Sequence, residues 1–442
     1  MNTPGVSAAL AYDSSMQESV PNGTADGPRV AVVSVHTSPL DQPGSGDSGG
    51  MNVFIREAAE RINAGGVAVD VFTRSRDERT PDVQDLGGGS RLIRVRAGPS
   101  TPVPKDELPR FLPEFLGGVL RRAEDEGGGY DLVHTHYWLS GWVGRSAREI
   151  WGVPLVASFH TLGKVKNYSL SRGERPEPTV RLDGEERVIA EADRLVAATP
   201  AEAAQLVGLY RADPGRIRVV PPGVNHELFF PRQPDAAKAR LHLTDVQMLL
   251  FVGRLQAHKG PDVAVRALAE AVAREPARTR DVVLAIVGGP SGADHGAEVA
   301  RLMDLASDLG VGERVMLFPP QPQSRLADFY AAADVVHVPS RSESFGLVAL
   351  EAQASGTAVV AAGVGGLRYV VQDGVTGHLV EGHDPGDHAE RILSILRDPA
   401  ASRRMGEAGV ARSLRFSWEA TAGGMLSVYR EVLAPAPANA RR

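Results

Sequence analysis

Twice along this chain, short apolar runs alternate with helical patterns, and no other feature restricts the fold as strongly. The first series runs through Arg29–His36 (RVAVVSVH), Val67–Thr73, Leu132–His134, Pro154–Phe159, Leu195–Ala198 and Ile217–Val220, with a helix expected from Met51 to about Ala64. The second begins at Met248–Val252 (MLLFV) and continues through Val282–Val287, Val315–Leu317, Val335–Val338, Ala358–Ala361 and His378–Val380. Strands that are apolar on both faces must be covered on both faces. Alternation with helices therefore implies a parallel sheet between two helical layers. Two series imply two doubly wound α/β domains facing each other across a cleft. The Pro- and Gly-containing stretch Val220–Pro231 (VPPGVNHELFFP) separates them and reads as a hinge. The expected organisation is an N-terminal domain over 29–225 and a C-terminal domain over 226–417. A final segment over 418–442 holds an amphipathic helix, Trp418–Leu433, that crosses back to the first domain before a frayed end. Residues 1–28 are polar, small and aperiodic, and read as a disordered tail.

Composition removes several classes of function. The 442 residues are 43% hydrophobic and 23% charged, enough for packed cores. A formal net charge of -6 argues against a nucleic-acid partner. There is no cysteine, hence no disulfide, thiol nucleophile or zinc ribbon. No apolar run is long enough to span a bilayer, and the N-terminus lacks a basic segment followed by an apolar core. A cytoplasmic protein without a membrane partner is expected. Of the 48 basic residues only Lys105, Lys164, Lys166, Lys238 and Lys259 are lysines. These mark places where a compact ammonium is wanted instead of a planar fork, Lys238 reading as plain surface.

The most informative stretch is Pro339–Thr357, PSRSESFGLVALEAQASGT. It follows the apolar run ending at Val338, and its helix opens at about Phe345–Leu347 and stops at Gly356. Free N–H groups of Ser344–Leu347 at the helix start make an anion site. Glu343 and Glu351 point into the same cleft at different depths. A diphosphate on those amides would put Glu351 near a ribose and Glu343 near a sugar. In VGRLQAHKG, Arg254 ends a strand and Lys259 opens the next helix. That is where open parallel sheets bind ligands, and a fork with a point charge suits two adjacent phosphates.

GSGDSG at Gly44–Gly49 has the spacing of a dinucleotide fingerprint, with Asp70 further on. The reading is rejected. Seven residues, Thr37 to Pro43, intervene after the strand, and Asp70 sits within the next strand instead of at its end. What remains is a flexible loop, Asp47–Asn52, feeding a helix N-terminus and able to approach a phosphate or hydroxyl-rich ligand. HTHYW and SFHTLGKVKN end consecutive strands and offer His134, His136, Tyr137, His160, Thr161 and Lys164 to that cleft. Without a carboxylate partner or helical spacing, these histidines suit sugar hydroxyls better than a metal. Lys105 and Arg181 add positive charge.

Glu-x-Phe-Gly-x-x-x-x-Glu-Ala, together with SPLDQPGSGDSGGMNVF, HTHYWLSG, SFHTLGKVKN and GEERVIAEADRLVAAT, resembles the retaining, nucleotide-sugar-dependent glycosyltransferases of family four. The likeness covers about Arg29 to Leu433. It is sharpest for the branch that begins mycothiol synthesis by joining N-acetylglucosamine from UDP-N-acetylglucosamine to an inositol phosphate. The resemblance implies two Rossmann-like domains of the GT-B type. It implies that His36, Asp47, Ser48, Gly49, Gly50, Met51, Asn52, Lys105, Tyr137, Thr161 and Arg181 hold the inositol phosphate. Lys105 and Arg181 would take the phosphate, while Asp47 and Asn52 meet ring hydroxyls. Gln42, Pro43 and Gly50 would approach the donor from the first domain, and Arg254, Lys259, Gln321, Glu343 and Glu351 from the second. The catalytic set expected is Arg254, Lys259, Glu343 and His160. No cofactor is required for the chemistry; the resemblance adds a structural Mg²⁺ near Tyr330, Ala331, Ala333 and Thr357, and a homodimer. Sucrose-phosphate synthases carry a related DTGGQ loop where this chain has DSGGMN, which makes a retaining transferase with another acceptor the nearest alternative. The alternatives from further away are a lipid-acceptor transferase, a nicotinamide-dependent oxidoreductase built on GSGDSG, and a non-catalytic sugar-nucleotide-binding protein.

Overall fold

The computed structural model describes residues 27–170, 175–290 and 295–434. Most of the expected N-terminal tail, residues 1–26, and the chain end from 435 onward lie outside the described residues. The first sheet comprises β1 (Arg29–Val33), β2 (Ala68–Arg74), β3 (Val83–Gly87), β4 (Ser90–Val95), β5 (Leu132–His136), β6 (Leu155–Ser158), β7 (Arg194–Ala197) and β8 (Ile217–Val219). Their order is β3-β4-β2-β1-β5-β6-β7-β8. Every pairing is parallel except β3 with β4. The second sheet comprises β9 (Gln247–Val252), β10 (Val282–Val287), β11 (Val315–Phe318), β12 (Val335–Val338), β13 (Val359–Ala362) and β14 (Gly377–Val380). It is wholly parallel, in the order β11-β10-β9-β12-β13-β14.

Why these runs are strands follows from their surroundings. β5, β6, β12 and β13 are buried along their whole length, so each side chain packs against a helix above or below the sheet. Phe72, Phe115, Leu139 and Val188 fill one face of the first sheet. Phe54, Ile55, Trp418 and Met425 fill the other. Burying one such side chain contributes roughly 1.5–3 kcal/mol. The β3–β4 hairpin was not among the strands expected. Its outer strand is half polar and exposed, and the chain turns through Gly87, Gly88 and Gly89 at positive φ, so neither alternation nor an apolar run announces it.

Strand order reverses at β1, which has β2 on one side and β5 on the other, and at β9, between β10 and β12. At such switch points the loops after neighbouring strands diverge and leave a crevice. Three loops open there: Ser34–Gly49 after β1, Gly253–Lys259 after β9, and Pro339–Gly346 after β12. The chain crosses between the sheets twice. The crossings lie side by side: the Val224 N–H donates to Phe416 O at 3.0 Å, and Thr421 Oγ1 donates to Pro221 O at 2.8 Å. After the second crossing the helix Trp418–Leu433 packs on the helix Gly50–Ala64 of the first domain, and Tyr429 OH lies 2.8 Å from His134 Nδ1.

Candidate active site

Two adjoining cavities, of about 160 and 250 Å³, occupy the crevice between the switch points. The smaller is lined by Pro43, Gly50, Arg254, Lys259, Gln321, Glu343 and Glu351. The larger is lined by His36, Asp47, Gly49, Gly50, Met51, Lys105, Tyr137, His160, Thr161 and Arg181. Arg254, Lys259, Glu343, Gly49 and Gly50 line both. The cavities therefore meet at two cations, a carboxylate and a glycine turn.

The smaller cavity is built on backbone. The helix Leu347–Ala354 starts beyond Gly346, whose φ of +106 turns the chain sharply enough to aim its first N–H groups at the crevice. Gly253 and Gly288 close the ends of β9 and β10. A Cβ on Gly288, at φ +154, would lie 1.9 Å from Gly253 O, so only glycine permits this approach. Glu343 lies three residues before Gly346, outside the helix, so the two acids are not one helical face. They still enter one cavity at different depths. Half-buried Glu343 accepts from Lys259 Nζ at 2.7 Å. Buried Glu351 accepts from Tyr330 OH at 2.7 Å, and burial pushes its carboxyl up to about 7.

The larger cavity is built on side chains. Arg181 is fully buried on the helix Thr179–Glu191. It donates to Glu185 Oε1 at 2.7 Å, Glu177 Oε2 at 2.8 Å, and Thr161 O and Oγ1 at 3.0 and 3.1 Å. Its guanidinium lies 4.9 Å from the Tyr137 ring centroid. Against burial, Arg181 and Lys166 hold the Glu177 carboxyl down at about 2. Asp47 stands 3.7 Å from Lys105 Nζ and 3.8 Å from Arg254 Nη1, and so bridges the domains. Against burial, Lys105, His36 and Arg254 hold its carboxyl below the usual range. Burial and then Lys105 push the His36 imidazole down to about 3. Among the described residues, His36 Nδ1 and Tyr137 OH are buried without a hydrogen-bond partner. Such groups cost about 1–3 kcal/mol each when left unmet, so they point to a polar ligand.

Tyr137 and His160 have φ of +73 and +60. Each is a non-glycine residue in the left-handed region, a strain that persists where the surroundings enforce it. His160 is enforced from both sides. Its Nε2 lies 2.7 Å from His136 Nδ1, and its carbonyl accepts from Ser344 Oγ of the second domain at 2.5 Å. Burial lowers its imidazole to about 3, so the ring is neutral. The domains touch elsewhere along the crevice: Gln42 Nε2 donates to Gln321 O at 2.7 Å, and the Gly289 N–H donates to Gly44 O at 3.0 Å.

Several expected residues are placed differently. Asn52 lines neither cavity. It is fully buried at the start of the helix Gly50–Ala64, donating to Thr37 Oγ1 and Ser38 O and accepting from the Gly49 N–H. The expectation that it meets ring hydroxyls is corrected: its amide is used up in shaping the loop. Ser48 is buried at 3% exposure beside Thr37, lining the smaller cavity only. Gln42 lines neither cavity, its amide donating to Pro43 O and Gln321 O at the edge of the smaller one. His134 is held by Tyr429 and Ser158, and His136 sits behind His160. Lys164 turns away to Leu209 O and Glu186. Asp70 is buried in β2 and bound by Arg91 and Tyr130, so the fingerprint reading has no residue for a ribose. Of the metal set, Thr357 Oγ1 donates to Tyr330 O at 2.7 Å, at the carbonyl end of the helix Gln323–Ala332. That brings neutral oxygens to the negative end of a helix, a fit for a structural cation and not for a catalytic one. Among the described residues no group of three or more His, Cys, Asp or Glu converges for a metal. Lys166 and His258 are among the lining residues that sequence reasoning did not place on the cleft. Both stood inside the quoted motifs, but nothing in spacing says which way they point.

The pattern of glycosyl transferases group 1 matches residues 211–412, and that of Glycosyltransferase Family 4 matches residues 48–228. A D-inositol 3-phosphate glycosyltransferase from Acidothermus cellulolyticus is 53% identical over 408 residues, 92% of this chain and 91% of the relative. A D-inositol 3-phosphate glycosyltransferase 2 from Catenulispora acidiphila is 52% identical over 91% of this chain and 94% of its own length. Among solved structures, a sucrose-phosphate synthase from Thermosynechococcus elongatus superposes with a TM-score of 0.85 at 36% identity, covering 93% of this chain and all of the other. WaaG, a glycosyltransferase involved in lipopolysaccharide biosynthesis, shares the fold at a TM-score of 0.68 and 18% identity.

Proposed function

This chain belongs to the family of D-inositol 3-phosphate glycosyltransferases within the group 1 glycosyl transferases, and from that premise we propose that it moves N-acetylglucosamine from UDP-N-acetylglucosamine to 1D-myo-inositol 3-phosphate with retention at the anomeric carbon. The observation that carries the proposal is the shared lining. Arg254, Lys259 and Glu343 border both cavities, as the reacting end of a donor and the hydroxyl of an acceptor require.

The smaller cavity takes the nucleotide sugar. The diphosphate lies on the first amides of the helix Leu347–Ala354 and against Arg254 and Lys259. Glu351 meets the ribose and Glu343 a sugar hydroxyl. The larger cavity takes the acceptor, its phosphate near Lys105 and Arg181 and its hydroxyls at His36, Tyr137 and Asp47. The C1–oxygen bond to the diphosphate breaks as the acceptor oxygen bonds C1 on the same face. The acceptor proton passes to the departing phosphate oxygen, so UDP leaves. Glu343 and Glu351 are both engaged with side chains of the cavity wall, which speaks against a double displacement through either. Stabilising the departing charge falls to Arg254, Lys259 and the helix N-terminus. The His160 carbonyl, fixed by Ser344, and the contacts of Gln42 and Gly44 hold the domains closed against water. A Mg²⁺ held by the Tyr330, Ala331 and Ala333 carbonyls and Thr357 is assigned a structural part only. We carry the reading to a homodimer in the cytoplasm, working without a membrane. Among the described residues no helix is long and apolar enough to cross one.

The test is UDP release from UDP-N-acetylglucosamine with inositol 3-phosphate, free inositol or fructose 6-phosphate as acceptor. Release that requires inositol 3-phosphate and yields an α-linked product by NMR is expected. Release with fructose 6-phosphate alone would reassign the acceptor while leaving the donor cavity as described.

A further inference from the structure

The donor-binding domain also presents a side chain to the acceptor cavity. His258 lies on the 3₁₀ turn Ala257–Lys259, one residue before Lys259. Its backbone is pinned: the carbonyl accepts from the Arg341 N–H at 2.7 Å, and Gly260 ends the turn at φ +73. The half-buried ring lines the acceptor cavity with Lys105, Tyr137, Thr161 and Arg181. It also lines a small cavity beside it, with Arg175 and Glu177. Lys166, on the helix Gly163–Tyr168 of the other domain, lines both as well, so the two side chains share the gap between domains. No hydrogen bond ends on the His258 ring among the described residues.

The charges around it decide its chemical state. Lys259 faces it from its own turn, Arg254 from the loop after β9, Lys166 from the helix across the gap and Lys105 from the turn Lys105–Phe111. The nearby carboxylates are engaged elsewhere, Glu177 by Lys166 and Arg181, and Glu343 by Lys259. Burial first, then these four cations, push the imidazole down to about 2. In the ligand-free protein His258 is therefore neutral near pH 7, with one N–H to give and, among the described residues, no hydrogen-bond partner for it.

On the reading that the acceptor carries a phosphate, we propose that His258 is a specificity-determining residue that donates a hydrogen bond to that phosphate from the donor-binding domain. The acceptor phosphate is then held by both domains at once, and adds one more tie to the contacts that already hold the cleft closed over the donor. Free inositol lacks the group that makes this tie.

The experiment compares the wild type with His258→Ala and His258→Gln by steady-state kinetics from pH 6 to 8, varying inositol 3-phosphate and UDP-N-acetylglucosamine separately. A hydrogen bond to a charged group contributes about 1.5–3 kcal/mol, so His258→Ala is expected to raise the KM for inositol 3-phosphate roughly 10- to 100-fold. The loss falls on that KM and not on the KM for UDP-N-acetylglucosamine. His258→Gln, which keeps a neutral donor at similar reach, restores most of it. The wild-type to Ala ratio stays flat across the pH range, because a neutral imidazole does not titrate there; the phosphate's own ionisation is common to both enzymes and cancels. Three results overturn the proposal: an unchanged acceptor KM in His258→Ala, a rise in the donor KM instead, or a ratio that grows as the pH falls. A wild type that prefers inositol 3-phosphate while His258→Ala binds it normally sinks this inference alone. A wild type indifferent to the phosphate sinks the functional reading with it.

Discussion

In the acceptor half of the cleft the cations arrive already paired. Arg181 lies between Glu177 and Glu185, Lys166 shares Glu177, and Lys105 faces Asp47. In the donor half the anion site rests on backbone: a helix start beyond Gly346, the glycine contact of Gly253 with Gly288, and one half-buried pair, Lys259 with Glu343. The difference lies in what each half does with charge. Buried side-chain charges need partners before any ligand arrives, because an uncompensated ion in the interior costs several kcal/mol. Backbone amides at a helix end need none, since they are dipoles with water on one side. On the proposed assignment, the acceptor half is a network of side chains paired in advance, and the donor half a simpler cradle built on backbone amides.

The sharpest way to break this contrast is Arg181→Met. It leaves fully buried Glu185 without its cation, with the Gly163 N–H and Tyr210 OH still donating to it, and should cost about 3–5 kcal/mol in urea unfolding. A variant as stable as the wild type would mean that the network is not assembled in advance. Lys259→Ala should do the converse. It sits in the cradle half, so stability should hold while kcat falls roughly 10²- to 10³-fold, as for removal of one group stabilising a departing charge. Near-normal turnover would remove Lys259 from the catalytic set.

Each domain also buries one carboxyl that is pushed up to about 7 from an ordinary 4.5, Glu202 in the first and Glu351 in the second. The unfolded chain ionises from about pH 4.5 upward while the folded one does not. The stability these groups contribute is present in acid and is lost as the pH rises to about 7, on the order of 3 kcal/mol each. Glu202→Gln and Glu351→Gln should each flatten the decline between pH 5 and 8 in chemical denaturation, and a variant with an undiminished slope would acquit its residue. The smallest effect is expected at Lys105, which is half-buried and only loosely paired. Lys105→Met should raise the KM for inositol 3-phosphate about tenfold, the loss of one charge-assisted contact, with the unfolding midpoint unmoved. An equal loss with free inositol would place the phosphate elsewhere.

Much of the donor half was legible in the sequence because its parts are local. A strand end, a glycine and a helix start stand within a few residues of one another, and their spacing sets where amides and acids appear. Arg254 and Lys259 were placed on the cleft by the same logic. The acceptor half was less legible. Lys166 and His258 face one gap although they come from different domains, and Arg181 meets Thr161, twenty positions away on another segment. Asn52 shows the limit at one residue. Its position at a helix start was evident, but whether its amide faced ligand or loop depended on Thr37 and Ser38, more than a dozen positions away. The β3–β4 hairpin escaped because its pairing, and not its composition, makes it a strand.

Alternation of apolar runs with amphipathic ones determined, from sequence alone, two parallel sheets and the strand ends at which ligands bind, because periodicity and burial are properties of consecutive residues. Which charges neutralise one another, which strained turns are held, and which side chains face each other across the crevice were decided only by the tertiary structure. Those depend on distances between atoms far apart in the chain, and electrostatic energies and hydrogen bonds change over a few ångströms that no spacing rule specifies.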